Sequence, residues 1–214
     1  MIDRRRSFAR HTSASLLVAS AALAASCGGG DDSRTPDVGT TAQALVTTVP
    51  CDPSGFETGP GLANAITASN AASAGPHTIN LSSNCHYQIG AADNVWYGPN
   101  ALPPILSDIT INGNGSQIER NAGAGTNFRI FYVAGAALPP GVAGKLTLRD
   151  VTVRNGRAFG GVGGASAPGG GGGMGAGGAI FVHGELVLDH ALIRASIAQG
   201  GAGGTGGGGP GGGG

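Results

Sequence analysis

Gly144–Gly161 and Gly184–Gly201 carry the same pattern forty residues apart, and that repetition limits the folds open to this chain more than any other feature. Gly144/Gly184, Leu146/Leu186, Leu148/Leu188, Arg154/Arg194, Ala158/Ala198, Gly160/Gly200 and Gly161/Gly201 are identical pairs, and Val153 matches Ile193 in kind. Within each copy the apolar positions step by two, then three, then two, as in Leu146, Leu148, Val151 and Val153. A continuous strand keeps a period of two, so the extra residue at Arg149-Asp150 marks a corner between two short strands. Such a unit cannot bury its apolar face alone and does so by stacking on its neighbours. The offset of forty fits two coils of about 20 residues, or one coil carrying a long glycine loop.

The same two-residue period recurs upstream. Ile79 and Leu81 alternate with Thr78 and Asn80, and Ile109 and Ile111 with Asp108, Thr110 and Asn112. Phe128–Val133 is a further apolar run, and Gly, Asn and Pro bound these segments, the pattern of short strands. Residues 62–72 are the one helical stretch, with Leu62, Ile66 and Ser69 on one face and Gly75-Pro76 beyond its end. Glycine supplies 43 of 214 residues, concentrated in Gly160–Gly178 and Gly200–Gly214. These runs lack a collagen-like triplet period and lack the Lys-Ser/Thr closure of a phosphate-binding loop. They are expected to form a flexible loop and a disordered end.

The N-terminus reads as an address. Arg4, Arg5, Arg6 and Arg10 precede a short uncharged apolar segment, Ala14–Ser26, too short for a bilayer core of roughly 20 residues. This is the layout of a signal peptide. Leu23-Ala24-Ala25-Ser26-Cys27 resembles a bacterial lipobox, in which Cys27 is lipidated; ordinary cleavage after a small residue also fits. Arg5-Arg6-Ser7-Phe8 resembles a twin-arginine signal, and a general secretion head is equally Arg-rich, so both routes stay open. Loss of the leader removes four of the 12 basic and one of the 12 acidic residues, leaving a net charge of about −3. That balance offers no basic field for nucleic acid. With Cys27 assigned to lipid, Cys51 and Cys85 are left to pair in an oxidising compartment, whereas structural zinc wants four ligands. The chain thus divides into a signal peptide (1–26), a flexible tether (27–50), a β domain (51–201) and a Gly-rich tail (202–214).

Gly61-Leu62, Ala65-Ile66, Ser69-Asn70, Thr78-Ile79-Asn80-Leu81 and Leu102-Pro103 through Ser107-Asp108-Ile109-Thr110-Ile111-Asn112-Gly113 together resemble the start of bacterial right-handed parallel β-helix proteins of the pectin-lyase-like fold. Gly177-Gly178-Ala179-Ile180 resembles the glycine-rich repeat of polymorphic outer-membrane proteins. The resemblance implies an all-β fold: a short right-handed parallel β-helix with an N-terminal capping helix and Gly-rich loops.

The same fold hosts polysaccharide lyases and glycoside hydrolases, which need converging carboxylates. Asp150, Asp189, His183 and Arg154 are the candidates, with Glu185, His190 and Arg194 nearby in sequence. Two coils would hold the equivalent positions Asp150 and His190 roughly 10 Å apart, and Glu185 and Asp189, read as lying across a corner, are expected to face different ways. His183-Gly184 is similar to a His-Gly pair of polygalacturonases, but the partner aspartate motifs are absent. Arg154 and Arg194 form a candidate ladder for an anionic ligand, while Asn112, Asn114 and Asn155 read as turn residues. The reading adopted is a noncatalytic cell-envelope protein that contacts polysaccharide or surface proteins and meets the membrane through Cys27, with no metal or cofactor. An enzyme of the pectin-lyase-like class and the N-terminal part of a longer surface solenoid are the alternatives.

Overall fold

The computed structural model describes residues 44–52, 61–72, 75–137, 141, 143–166 and 169–206. The signal peptide, Cys27, most of the tether and residues 207–214 lie outside the described residues. Among the described residues the fold is all-β with parallel sheets and one short helix. In chain order the elements are β1 (Val46–Val49), α1 (Gly61–Ala71), β2 (His77–Leu81), β3 (His86–Ile89), β4 (Asp108–Arg120), β5 (Phe131–Val133), β6 (Lys145–Arg154), β7 (Arg157–Phe159), β8 (Ile180–Val182), β9 (Glu185–Asp189), β10 (Leu192–Arg194) and β11 (Ile197–Gln199). β1 lies inside the stretch read as tether; its Thr47 and Val49 partner Ile79 and Leu81 of β2, so ordered structure begins before Cys51.

β1, β2, β4, β6 and β10 follow one another across the main sheet; β3 pairs with β4, β9 with β6, and every pairing is parallel. The register stacks like on like: Ile79 on Ile111, Ile111 on Leu148, Leu148 on Leu188. A second column runs from Tyr87 through Ile118 and Val153 to Ile193. Inward positions in both columns are buried up to β6 and become exposed at Leu188 and Ile193, which have no further strand over them among the described residues. α1 lays Leu62, Ala65, Ile66 and Ser69 inward and packs on β1 and β2. Its last turn is tied down by Asn70, whose Nδ2 donates to Pro104 O at 2.7 Å and whose Oδ1 accepts from Leu106 N at 2.9 Å. Cys51 and Cys85 form a disulfide with a Cα–Cα distance of 6.1 Å.

The two repeat copies are direct neighbours: Lys145–Arg149 pairs with Glu185–Asp189, Thr152–Arg154 with Leu192–Arg194, and Arg157–Phe159 with Ile197–Gln199. No strand intervenes between them, so the offset of forty separates directly paired strands, with the long glycine segment lying between the two copies. The corner lies where the sequence placed it. Asp150 and His190 have left-handed backbones (φ 45° and 53°), as does Asn114 (φ 50°) in β4.

The glycine runs are more ordered than their composition suggests. Gly160 N and Gly163 N donate to Gln199 O and Ala202 O, Gly170 N and Gly173 N to Gly164 O and Gly161 O, and Gly201 N and Gly204 N to Gly173 O and Gly170 O. These are three extended segments, two parallel and one antiparallel, whose linking bonds recur every third residue. That is the period of a polyproline-II-type helix, which has no bonds within itself. A Cβ at Gly160, Gly163, Gly169, Gly172, Gly175, Gly201 or Gly204 would run into the backbone of an adjoining segment, whereas one at Gly161 or Gly164 meets nothing. The triplet requirement is therefore present, hidden because glycine also fills many of the intervening places.

Candidate functional site

The segment after β3 leaves the sheet and is locked by one side chain. Buried Asn100 directs its Nδ2 at Asn94 Oδ1 (2.8 Å), Trp96 O (2.9 Å) and Gly98 O (2.8 Å), while Asn94 Nδ2 donates to Leu102 O at 2.9 Å. Held this way, the loop turns Trp96 and Tyr97 outward, and Tyr97 is 57% exposed on a left-handed backbone (φ 54°). Gly98 follows with φ 113°, and a Cβ there would meet the guanidinium of Arg129.

Arg129 is the buried centre of this region. Its Nη2 donates to Tyr97 O, its guanidinium lies 4.7 Å from the centre of the Phe181 ring, and Nε and Nη1 are buried without a hydrogen-bond partner. Burial lowers its pKa from the usual arginine range, partly countered by Tyr132. Parallel pairing of β5 with β8 sets Tyr132 beside Phe181, with ring centres 6.0 Å apart. His183 joins them: its ring is 4.7 Å from those of Tyr97 and Phe181, and its Nδ1 is 3.4 Å from Tyr132 Oη. Burial raises the Tyr132 phenol pKa, Tyr97 adds to the rise and Arg129 opposes it. Between this loop and the glycine segments lies a cavity of about 150 Å³, walled by Tyr97, Arg129, Arg157, Phe159 and Met174 among others. Aromatic faces beside guanidinium groups suit a ligand with both apolar faces and hydrogen-bond acceptors.

The four sequence candidates fall in three separate places. Asp150 of β6 and His190, in the turn between β9 and β10, directly follow the paired residues Arg149 and Asp189, closer than the roughly 10 Å expected, because no strand separates the repeat copies. Both line a cavity of only about 60 Å³ at the corner. Asp189 is engaged by Arg149 Nε at 3.2 Å and by His190 Nδ1 at 2.7 Å. Glu185 pairs with Lys145 at 3.6 Å. Glu185 and Asp189 share one face of β9, rather than facing different ways, because the corner comes after both of them. Four residues of strand hold them roughly 13 Å apart. Arg154 Nε sits 2.9 Å from Oε2 of the buried Glu119, which also accepts from Gln88 and Asn155. His183 belongs to the aromatic cluster. Among the described residues no group of three or more His, Cys, Asp or Glu is placed to hold a metal ion.

Compared with known proteins, the chain matches no family model, no curated protein and no solved structure. The site therefore rests on its own geometry. Tyr97, Arg129, Arg157 and Phe159 were not singled out from sequence. The available signal was Asn94-Val95-Trp96-Tyr97-Gly98, which puts the sole tryptophan and one of three tyrosines together in a chain poor in aromatics.

Proposed function

We propose that this is an exported, noncatalytic cell-envelope protein, anchored through Cys27, whose parallel strands wind as a short right-handed β-helix capped by α1 and whose Tyr97 groove contacts glycans. The observation that carries the reading is the groove: exposed Tyr97 and Phe159 flank a cavity walled by Arg129 and Arg157. An aromatic ring offers a flat face to the C–H side of a sugar, and guanidinium donors suit its oxygens. Asp189 is taken up by Arg149 and His190, and the cavity beside Asp150 is only about 60 Å³, too small for a sugar chain, which supports binding over cleavage at this corner.

Incubating the full-length protein with neutral and acidic polysaccharides, while recording binding and new chain ends together, tests this reading. Binding without cleavage, weakened about tenfold or more by Tyr97→Ala, is the expected result. Cleavage abolished by Asp150→Ala or Asp189→Ala would make the protein an enzyme. Absence of any polysaccharide binding would remove the glycan reading.

A further inference from the structure

Arg157 borders a second cavity, of about 250 Å³, whose lining is Arg120, Ala122, Arg154, Asn155, Arg157 and Ala195. Three of six lining residues are arginines, and none is acidic. Seven basic side chains lie among the described residues. Lys145 faces Asp108 and Glu185, and Arg149 faces Asp189, so those two are matched. Arg120, Arg154 and Arg194 stand at the ends of β4, β6 and β10, with Arg157 of β7 lining the same cavity as Arg120 and Arg154, and Arg154 and Arg194 are register partners. Glu119 is the acid found there, and its two oxygens already take Gln88, Asn155 and Arg154.

Arg120 shows how the positive charge is held in place. It is 2% exposed, and its Nε donates to Asn155 O at 3.0 Å, its Nη1 to Ala124 O and Thr126 O at 3.2 and 3.3 Å, with the Phe128 ring 5.7 Å away. Every one of these partners is uncharged, so the guanidinium is oriented without being neutralised. Burial lowers its pKa and the charge of Arg157 lowers it further, so the two cations share one field. Arg157 makes no ion pair among the described residues and is exposed. The walls opposite are small: Ala122 and Ala195 leave the space open.

We propose that this cavity is an oxyanion site that takes a sulfate, phosphate or carboxylate group, with Arg120 as its fixed positive wall and Arg157 as the ligand, Arg154 bordering the site while paired with Glu119. Guanidinium forks match the paired oxygens of such groups, and charge-assisted bonds of this kind are about twice as strong as neutral ones. The proposal does not depend on the glycan reading, because the ligand group is defined by its charge and oxygens.

Titration of the full-length protein with inorganic sulfate, inorganic phosphate and acetate, against chloride at matched ionic strength, is the experiment. Saturable binding of at least one oxyanion is expected, weakened about tenfold or more by Arg157→Gln and unchanged by Arg149→Gln. Ala195→Asp, which puts a carboxylate at the cavity without touching any arginine, gives a second route to the same loss if Arg157→Gln unfolds the chain. Tighter binding of a sulfated polysaccharide than of free sulfate would assign the group to a polymer; equal affinity would assign the free ion. No saturation beyond the chloride response, or equal losses in Arg149→Gln and Arg157→Gln, would overturn the site.

Discussion

At the glycines of the 160–175 and 200–206 segments, a single methyl group separates tolerance from damage. Gly172 is appressed to Gly201 O and Gly204 to Gly164 O, whereas Gly161 faces open space. Gly172→Ala is expected to lower stability by about 1–3 kcal/mol, as overpacking does, while Gly161→Ala should leave thermal melting nearly unchanged. The corners make the opposite argument. Asn114 and Asn155 belong to the residue type that tolerates a left-handed backbone, but Ala195 does not and still has φ 51°. Ala195→Gly is expected to stabilise by about 1 kcal/mol, read as an upward shift of the melting curve. The corner was legible from the two-three-two spacing. The glycine triplet was not, since a run in which nearly every residue is glycine cannot show which third of them is required.

Strand by strand, stability follows the columns that the parallel register builds. Leu148 is fully buried between Ile111 and Leu188, while Leu188 itself is 47% exposed at the edge. Leu148→Ala should therefore cost about 2–5 kcal/mol and Leu188→Ala much less, a difference that chemical denaturation of the two variants measures directly. The outward positions are ordered by the same register. Lys145 opposite Glu185 and Arg149 opposite Asp189 become ion pairs because forty residues separate each pair, the offset of the repeat. Such exposed pairs contribute about 0–1 kcal/mol each and serve register more than stability. The repeat was visible through its identical residues, and these charge-reversed positions carried the same information unnoticed. Gly144 and Gly184 also gain a reason: each passes so near the preceding backbone, at Ile105 and Gly144 respectively, that no side chain fits.

Across the molecule, the disulfide joins the stretch after β1 to the approach to β3, linking residues 34 apart in sequence. Reduction, or Cys51→Ala with Cys85→Ala, is expected to destabilise by about 3–4 kcal/mol, seen as a lower denaturation midpoint under reducing conditions. The proposed lipid anchor makes a prediction of its own. Cys27→Ser in the expressing cell should move the protein from the membrane fraction to the soluble envelope fraction, while ordinary signal-peptide cleavage would leave its distribution unchanged. No helix among the described residues is long and apolar enough to cross a membrane.

Periodicity and spacing were enough to give the short strands, the single helix with its Leu62–Ile66–Ser69 face, the corner at Asp150 and the pairing of Cys51 with Cys85. Those features depend on neighbours within a few residues, on a repeating unit, or on simple elimination. The partners of the remaining side chains came from elsewhere. That the repeat copies touch, that Glu119 pairs with Arg154 while Arg120 and Arg157 have no acid beside them among the described residues, and that Tyr97 meets Arg129 and His183 all follow from parallel stacking of segments 30 to 90 residues apart. A side chain's partner across a parallel sheet is set by the length of the loop between two strands. In this chain those loops differ from one pair of strands to the next, so the site could be found only once the strands were in register.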